Sequence, residues 1–240
     1  MNMKKQLASY MSAASLLMLC SAAHADLGLS LRAGTLGAGV ELDYAMSEKW
    51  SLRLMANEYS TDDDFEEDGI DYNAELDLSS YGAALDWHPF GGTFRLSLGA
   101  ISNGNELAAA SVPSDTFDIG DVTYISDDND PASLSGTIEL GDGGVAPYVG
   151  FGWGNSPSND GGFLFSLDLG VIQSGEAQVD LVGSGTAYDA DQDPGLTTPI
   201  SLASNAEAQE EIAKEEQSLL DEFEGNDLYP VVMIGIGYRF

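Results

Sequence analysis

Over most of this chain, large apolar residues alternate with small or polar ones. Leu36, Ala38, Val40, Leu42 and Tyr44 alternate with Gly37, Gly39, Glu41 and Asp43. Trp50, Leu52, Leu54 and Ala56 alternate with Ser51, Arg53, Met55 and Asn57, and Tyr81, Ala83, Leu85 and Trp87 with Gly82, Ala84, Asp86 and His88. The same period returns in Phe94–Ala100, Val149–Trp153, Phe163–Val171 and Ile234–Phe240. A two-residue period puts alternate side chains on opposite faces of a β-strand, so each of these strands has one apolar face.

Two architectures bury such a face. A soluble sandwich turns it inward, whereas a transmembrane barrel turns it to lipid and fills its lumen with small and polar side chains. The second face here is rich in glycine, of which the chain has 28, and carries charges of both signs. Aromatic residues stand at strand ends, with Tyr44 and Trp50 flanking one turn and Trp87, Phe90 and Phe94 another, as in the girdles at the two membrane interfaces. Both features favour the barrel, with the soluble secreted β-sandwich as the alternative. No run of 18 apolar residues offers a membrane-spanning helix.

Residues 1–25 read as a signal peptide. Lys4 and Lys5 precede the apolar run Ala13–Leu19, and Ala23-His24-Ala25 supplies the small residues of a Sec-type cleavage site after Ala25. Residues 26–240 would form the barrel domain, with acidic outer loops. The leader holds the only cysteine and two of the eight Lys+Arg, which leaves 6 basic residues against 40 acidic ones, a net charge of −34. That balance opposes nucleic-acid binding, which needs a basic footprint.

A signal peptide, amphipathic strands and a last strand, VVMIGIGYRF, ending on Phe240 resemble the small bacterial outer-membrane β-barrel proteins of the OmpA-like and OmpW-like kind, with no one subfamily singled out. The resemblance implies location in the cell outer membrane of a Gram-negative bacterium. It makes Ile236, Tyr238 and Phe240 the C-terminal signal read by the barrel assembly machinery. It also implies outer-membrane lipid and lipopolysaccharide as partners.

The expected fold is an all-β, antiparallel transmembrane barrel of eight to ten strands, with ten preferred. Short connections at 46–49, 88–92 and 141–145 are assigned to the periplasm, as is a turn at 174–177, and long or acidic ones at 60–69, 111–130 and 155–161 to the outside. The strands are then 27–33, 38–45, 50–59, 72–87, 93–107, 132–140, 146–153, 162–172, 178–185 and 228–240. Eight strands result if 178–185 leaves the wall and 27–45 runs as one strand. Within 72–87 the apolar residues switch from even to odd numbers, which predicts a bulge near Ser79-Ser80. Residues 204–224 read as a loop helix with a Ser204–Glu207 capping box and an apolar stripe of Ile212, Leu219, Leu220 and Phe223, expected to pack on the barrel rim.

Extending the alternation inward places Arg32, Arg53, Arg95 and Arg239 in the lumen with Glu41, Asp43, Asp86 and Asp168, and also Asp77, Glu139 and Asp180. The planar guanidinium can serve two carboxylates at once and stays charged. The expectation is an ion-paired, closed core with a cross-strand pair between Arg53 and Glu41 or Asp43; a charge-lined narrow pore is the variant. Acidic runs at Asp62–Asp68, Asp127–Asp130 and Asp189–Asp193 offer hard oxygen ligands for divalent cations. Asp189, Asp191 and Asp193 are only weak metal candidates, because Pro194 and Ile200 break the calcium-loop pattern. No cofactor is expected.

The functional expectation is a non-enzymatic barrel with a structural or surface-interaction role. A rim-active lipid or protein hydrolase is the alternative from another class. His88 is the only histidine beyond the leader, it sits at a turn assigned to the periplasm, and no serine is visibly paired with it.

Overall fold

The computed structural model describes residues 27–67, 70–111, 116–141, 143–158, 161–223 and 227–240, with the side chains at 64–67 and 70–72 not included. The expected signal peptide, residues 1–25, and its expected cleavage site lie outside the described residues. In chain order the strands are β1 (Leu27–Gly34), β2 (Gly37–Ser47), β3 (Trp50–Glu67), β4 (Ile70–Trp87), β5 (Phe94–Asn103), β6 (Glu106–Ser111), β7 (Thr116–Ile119) and β8 (Val122–Ser126). They continue with β9 (Ser133–Glu139), β10 (Val145–Gly154), β11 (Gly162–Gln173), β12 (Gln178–Ser184), β13 (Thr186–Asp189) and β14 (Ile200–Ser201). The helix α1 (Ala206–Phe223) and β15 (Leu228–Arg239) complete the chain.

Eight strands close a ring in the order β4-β3-β2-β1-β15-β11-β10-β5 and back to β4, every pair antiparallel. Closure removes the free sheet edges. The polarity of the ring is inverted relative to a soluble protein. On β3, Trp50, Leu52 and Leu54 are exposed, while Ser51, Arg53 and Met55 are buried. Leu96 and Leu98 on β5, Phe163 and Phe165 on β11, and Ile234, Ile236 and Tyr238 on β15 likewise face outward. An apolar exterior around a polar interior is the polarity of a transmembrane barrel and excludes the sandwich.

The ring has eight strands rather than the preferred ten. Residues 27–45 still form two strands; it is β9 and β12 that leave the wall. β12 pairs with β9, β9 pairs with β6, and β6 pairs with the upper part of β4 beyond the ring. A second, four-stranded sheet, β14-β13-β8-β7, joins them. Phe117, Ile119, Tyr124, Ala132, Ala187, Leu202, Ala208 and Ile212 form its apolar core. The chain therefore builds a small domain with its own core on one end of the barrel, here the domain end. Strands of that domain alternate as barrel strands do, which is why counting by alternation overshoots.

Two assigned directions are also reversed. Because β10 is antiparallel to the ascending β5, residues 146–153 descend and 162–172 ascend. The connection at 155–161 therefore sits at the end of the tight turns: Ser158 Oγ donates to the Gly91 carbonyl at 3.1 Å and Gly154 N to Thr93 O at 2.9 Å. The short connections at 141–145 and 174–177 are at the domain end, where they join barrel to domain. The aromatics Tyr44, Trp50, Trp87, Phe90 and Phe94 gather at the turn end alone, with Trp50 and Trp87 stacked at 6.1 Å.

No bulge interrupts β4. Its register with β3 is continuous from Trp50↔Trp87 to Glu67↔Ile70. What inverts at Ser79-Ser80 is polarity. Even-numbered residues stay on the inner face throughout, but they are Ser80, Ala84 and Asp86 inside the ring and Leu76 and Leu78 beyond it. The outer face changes from Tyr81, Leu85 and Trp87 to Asn73, Glu75, Asp77 and Ser79. One face thus passes from a lipid-compatible to a water-compatible surface within two residues.

The helix packs on β12 and β7 of the domain rather than on the barrel rim. Its N-cap is Asn205, whose Oδ1 accepts from the backbone N of Glu207 and of Ala208, each at 3.0 Å, so the Ser204–Glu207 box does not form. Ala208 and Ile212 enter the domain core, while Leu219, Leu220 and Phe223 are half-buried.

Candidate functional site

The lumen is filled in two layers. The layer toward the turn end is charged. Inward positions on β1, β2, β3, β4, β5, β11 and β15 supply Arg32, Glu41, Asp43, Arg53, Asp86, Arg95, Asp168 and Arg239, all buried. Arg53 is the hub. Its Nε lies 2.5 Å from Asp86, and its Nη1 lies 3.1 Å from Glu41 and 3.0 Å from Asp168. Arg95 Nη2 donates to Asp168 at 2.6 Å, and its Nη1 to the Gly154 carbonyl at 2.8 Å. Arg32 pairs with Glu41, and Arg239 pairs with Asp43 and donates to the Ser156 carbonyl.

Four guanidinium groups thus meet four carboxylates, so the layer is formally neutral. Buried charges persist only when paired and hydrogen-bonded in this way. Arg53 does pair across the tight β2–β3 turn, but with Glu41, one pair of positions along from its ladder partner Asp43. Asp43 is taken by Arg239 instead.

Two neutral members escaped sequence reasoning. Ser97 Oγ donates to Asp86 at 2.6 Å and accepts from Arg53 Nη2 at 3.1 Å. Its position two residues after Arg95 on one strand face was a usable signal. Asn155 Nδ2 donates to Glu41 at 2.9 Å, yet the connection that carries it was assigned to the wrong end.

The layer toward the domain end is apolar. Leu36, Met55, Ile101, Tyr148, Ile172, Val231 and Met233 pack across the lumen, with Leu36 fully buried. The β1–β2 turn enters here as a cap. Thr35 Oγ1 donates to Pro230 O at 2.9 Å and accepts from Val232 N at 3.0 Å, and the Thr35 carbonyl accepts from Tyr229 OH at 2.5 Å. Gly37, with φ of 95°, lets the chain turn back into β2.

Asp77, Glu139 and Asp180 are not in the lumen. They lie on parts of β4, β9 and β12 beyond the ring and are exposed. Asp189, Asp191 and Asp193 do not converge. Asp189 Oδ1 accepts from the backbone N of Asp191 and of Gln192, Asp191 from Thr123 N, and Asp193 from the backbone N of Thr197 and of Thr198. These carboxylates hold loop backbone. Asp127 does the same, accepting from Asn129 N and Tyr188 OH, and those bonds hold its carboxyl below the usual range. Among the described residues, no three carboxylate, histidine or cysteine side chains are grouped so as to hold a metal ion.

His88 is buried at the turn end, its Nδ1 2.8 Å from the Gly92 carbonyl. Ile236, Tyr238 and Phe240 share the outer face of the last strand, and Phe240 N donates to Leu27 O at 2.9 Å, joining the last strand to the first.

Fold and lumen together define a transmembrane β-barrel of eight strands, plugged by its own side chains and carrying a separate domain on one end. Among solved structures it is similar to CarO of Acinetobacter baumannii, with a TM-score of 0.57 and 20% identity over 89% of this chain and 97% of that one. It is equally similar to Acinetobacter baumannii CarO2, with a TM-score of 0.58 and 20% identity over 89% and 98%. At this identity the likeness is one of fold. No family model matches the sequence, and no curated protein sequence matches it significantly.

Proposed function

We propose that this is an outer-membrane protein whose barrel is a closed anchor and whose working part is the domain at its outer end. The observation that carries the reading is the double plug. A neutral ion-paired layer and an apolar layer both cross the lumen, so the barrel holds a surface in place rather than passing solute. The leader of residues 1–25 supports export through the Sec pathway, and the apolar belt, the turn-end aromatics and the terminal Phe240 support insertion from the periplasm by the assembly machinery and contact with outer-membrane lipid and lipopolysaccharide.

The domain end then faces the medium, and most of the chain's excess negative charge goes with it. The role is structural or surface-interacting and non-enzymatic. His88, the one histidine beyond the leader, is at the opposite end and is tied to a turn carbonyl, which speaks against a hydrolase at the outer rim. Single-channel recording in planar bilayers tests the anchor. The expected trace is flat at low voltage. Steady, protein-dependent openings would favour the narrow-pore reading instead.

A further inference from the structure

One seam of the ring stops short at the turn end. β11 pairs with β15 as far as Gly162↔Arg239, but β10 leaves β11 after Gly154↔Ser166. Among the described residues, Gly162–Phe165 are therefore laddered on one side alone. The chain after Gly154 does not continue along the wall. It turns, with φ of 112° at Gly154 and 49° at Asn155, and folds inward under the charged layer. Asn155, Ser156 and Pro157 are buried there. Arg239 holds them, donating to the Ser156 carbonyl and, at 3.4 Å, to the Asn155 carbonyl, while Asn155 Nδ2 donates to Glu41 at 2.9 Å. The segment that could have completed the wall closes the floor of the lumen instead.

The seam left behind is a gap of about 330 Å³, at the lower end of the range for small-molecule sites. Its walls are aromatic and braced. Trp153 stands on one side, edge-on to Phe94 at 5.8 Å between centroids, and Phe163 stands on the other, edge-on to Tyr238 at 5.8 Å. Phe165 continues the second wall along the outer face of β11. All three side chains belong to the apolar exterior, and Phe163 is 93% exposed. The gap thus opens sideways into whatever surrounds the barrel's belt. Among the described residues, no charged side chain lines it.

The gap also has a polar edge. The carbonyls of Phe165, Leu167 and Leu169 turn toward β10, where they lie against Gly154, Gly152 and Gly150. The two-residue period sends the backbone of Phe163 the same way, past the point where β10 ends. Backbone polar groups without partners are costly in hydrocarbon. The edge therefore belongs at the depth of lipid esters and headgroups, which is where the turn-end aromatics also set it.

We propose that the gap holds one phospholipid, with an acyl chain between Trp153 and the wall of Phe163 and Phe165, and its ester region against the open edge of Phe163. Apolar walls beside a polar edge match an amphipathic occupant. A lining without charge favours a zwitterionic phospholipid over lipid A, whose several phosphates call for basic partners. The assignment rests on the reading of the turn end as the periplasmic end, where phospholipid is the lipid at hand. The lipid completes the wall where the chain leaves it, and covers a strand edge that would otherwise be a template for pairing with another chain.

Native mass spectrometry tests it, on the mature chain refolded in detergent micelles with dioleoyl phosphatidylethanolamine added. Binding should level off at one lipid per barrel. Phe163→Ala should lower the bound fraction at least fivefold; so exposed a side chain adds little to the fold, which heat-modifiable migration checks. Leu52→Ala/Leu54→Ala, on the outer face of β3 across the ring, should leave the fraction unchanged. A second measurement uses Trp50→Phe/Trp87→Phe, in which Trp153 is the one tryptophan left. A phospholipid brominated on its chain should quench Trp153 with saturation at one lipid per barrel, and adding Phe163→Ala should remove the saturating part. Lipid adducts without a plateau at one, or a plateau unmoved by Phe163→Ala, would overturn the proposal. Lipid A displacing phospholipid at equal concentration would overturn it differently, by putting the turn end in the outer leaflet. Channel openings in planar bilayers would sink the closed anchor and leave a one-lipid plateau standing.

Discussion

Arg53 and Asp168 lie 115 positions apart in sequence and 3.0 Å apart in space. Their strands, β3 and β11, stand on opposite sides of the eight-strand ring, with three strands between them in either direction. The pair therefore crosses the full width of the lumen. Arg95–Asp168 likewise joins strands that do not touch, β5 and β11, while Arg53–Asp86 and Arg32–Glu41 join neighbouring strands, so the cluster works as internal bracing both along and across the ring.

That geometry makes Arg53 the most costly single truncation in the barrel. Arg53→Met removes one positive charge from a neutral cluster and leaves Asp86, Glu41 and Asp168 short of a partner. Breaking a buried pair from one side costs about 3–5 kcal/mol. The urea midpoint for unfolding from micelles, followed by heat-modified migration on a gel, should fall accordingly. Arg53→Met/Asp168→Leu should recover part of the loss, because both charges leave together. An unchanged midpoint in the single variant would mean that the cluster is not load-sharing in this way.

The eight lumen charges were legible because strand alternation is local: once one inward residue is known, the rest of that strand follows. Arg53 and Asp168 could be assigned to one interior without knowing that they meet. The order of strands around the ring was less legible. The rule that short connections face the periplasm fails at 141–145 and 174–177, because each joins a barrel strand to a domain strand rather than two barrel strands. The domain itself was hidden by the same alternation that revealed the barrel. Leu76 and Leu78 look like a lipid face and form instead an inner face beyond the ring. Period two reports that a strand has one apolar side; it does not report which side faces the solvent, or which solvent that is.

The inversion of polarity along β4 can be read directly with labels. The chain beyond residue 25 contains no cysteine, so single replacements give unique sites. Ser79→Cys and Leu85→Cys lie on the same outer face, six residues apart, with no bulge between them. A spin label at Leu85→Cys in lipid vesicles should relax with dissolved oxygen, which concentrates in the bilayer. A label at Ser79→Cys should relax with a water-soluble nickel chelate. If the strand were bulged and its outer face lipid-clad throughout, the two labels would behave alike.

Acid should loosen the outer domain before the barrel. Glu211 accepts from Lys214 Nζ at 2.6 Å and from the backbone N of Asp121 at 3.1 Å, and these bonds, the lysine's first, hold its carboxyl below the ordinary glutamate value of about 4.5. A depressed folded-state value means that the contribution is complete above the unfolded-state value, and is lost as pH falls through the lower, folded one. The contact joins α1 to the β7–β8 turn. On acidification from pH 7 to below 4, the Asp121 amide resonance should move and its hydrogen exchange should lose protection beyond the intrinsic pH effect. In Glu211→Gln the Asp121 amide shift should show no titration step in that window, and its persistence would assign the step to another carboxylate.

The last residue separates folding from assembly. Phe240 N closes the ring against Leu27 O, and its ring meets Tyr238 edge-on at 5.3 Å between centroids. Removing Phe240 deletes one hydrogen bond and one edge contact from a ring that keeps every other ladder bond of β15 with β1 and β11. Refolding into micelles should therefore survive, with a heat-modifiable band close to wild type. On the proposal that assembly machinery reads the exposed aromatic end rather than the finished barrel, the outer-membrane yield in cells should fall at least several-fold, with unfolded chain left in the periplasm. Equal losses in micelles and in cells would make Phe240 a structural clasp and remove the signal role of Ile236, Tyr238 and Phe240.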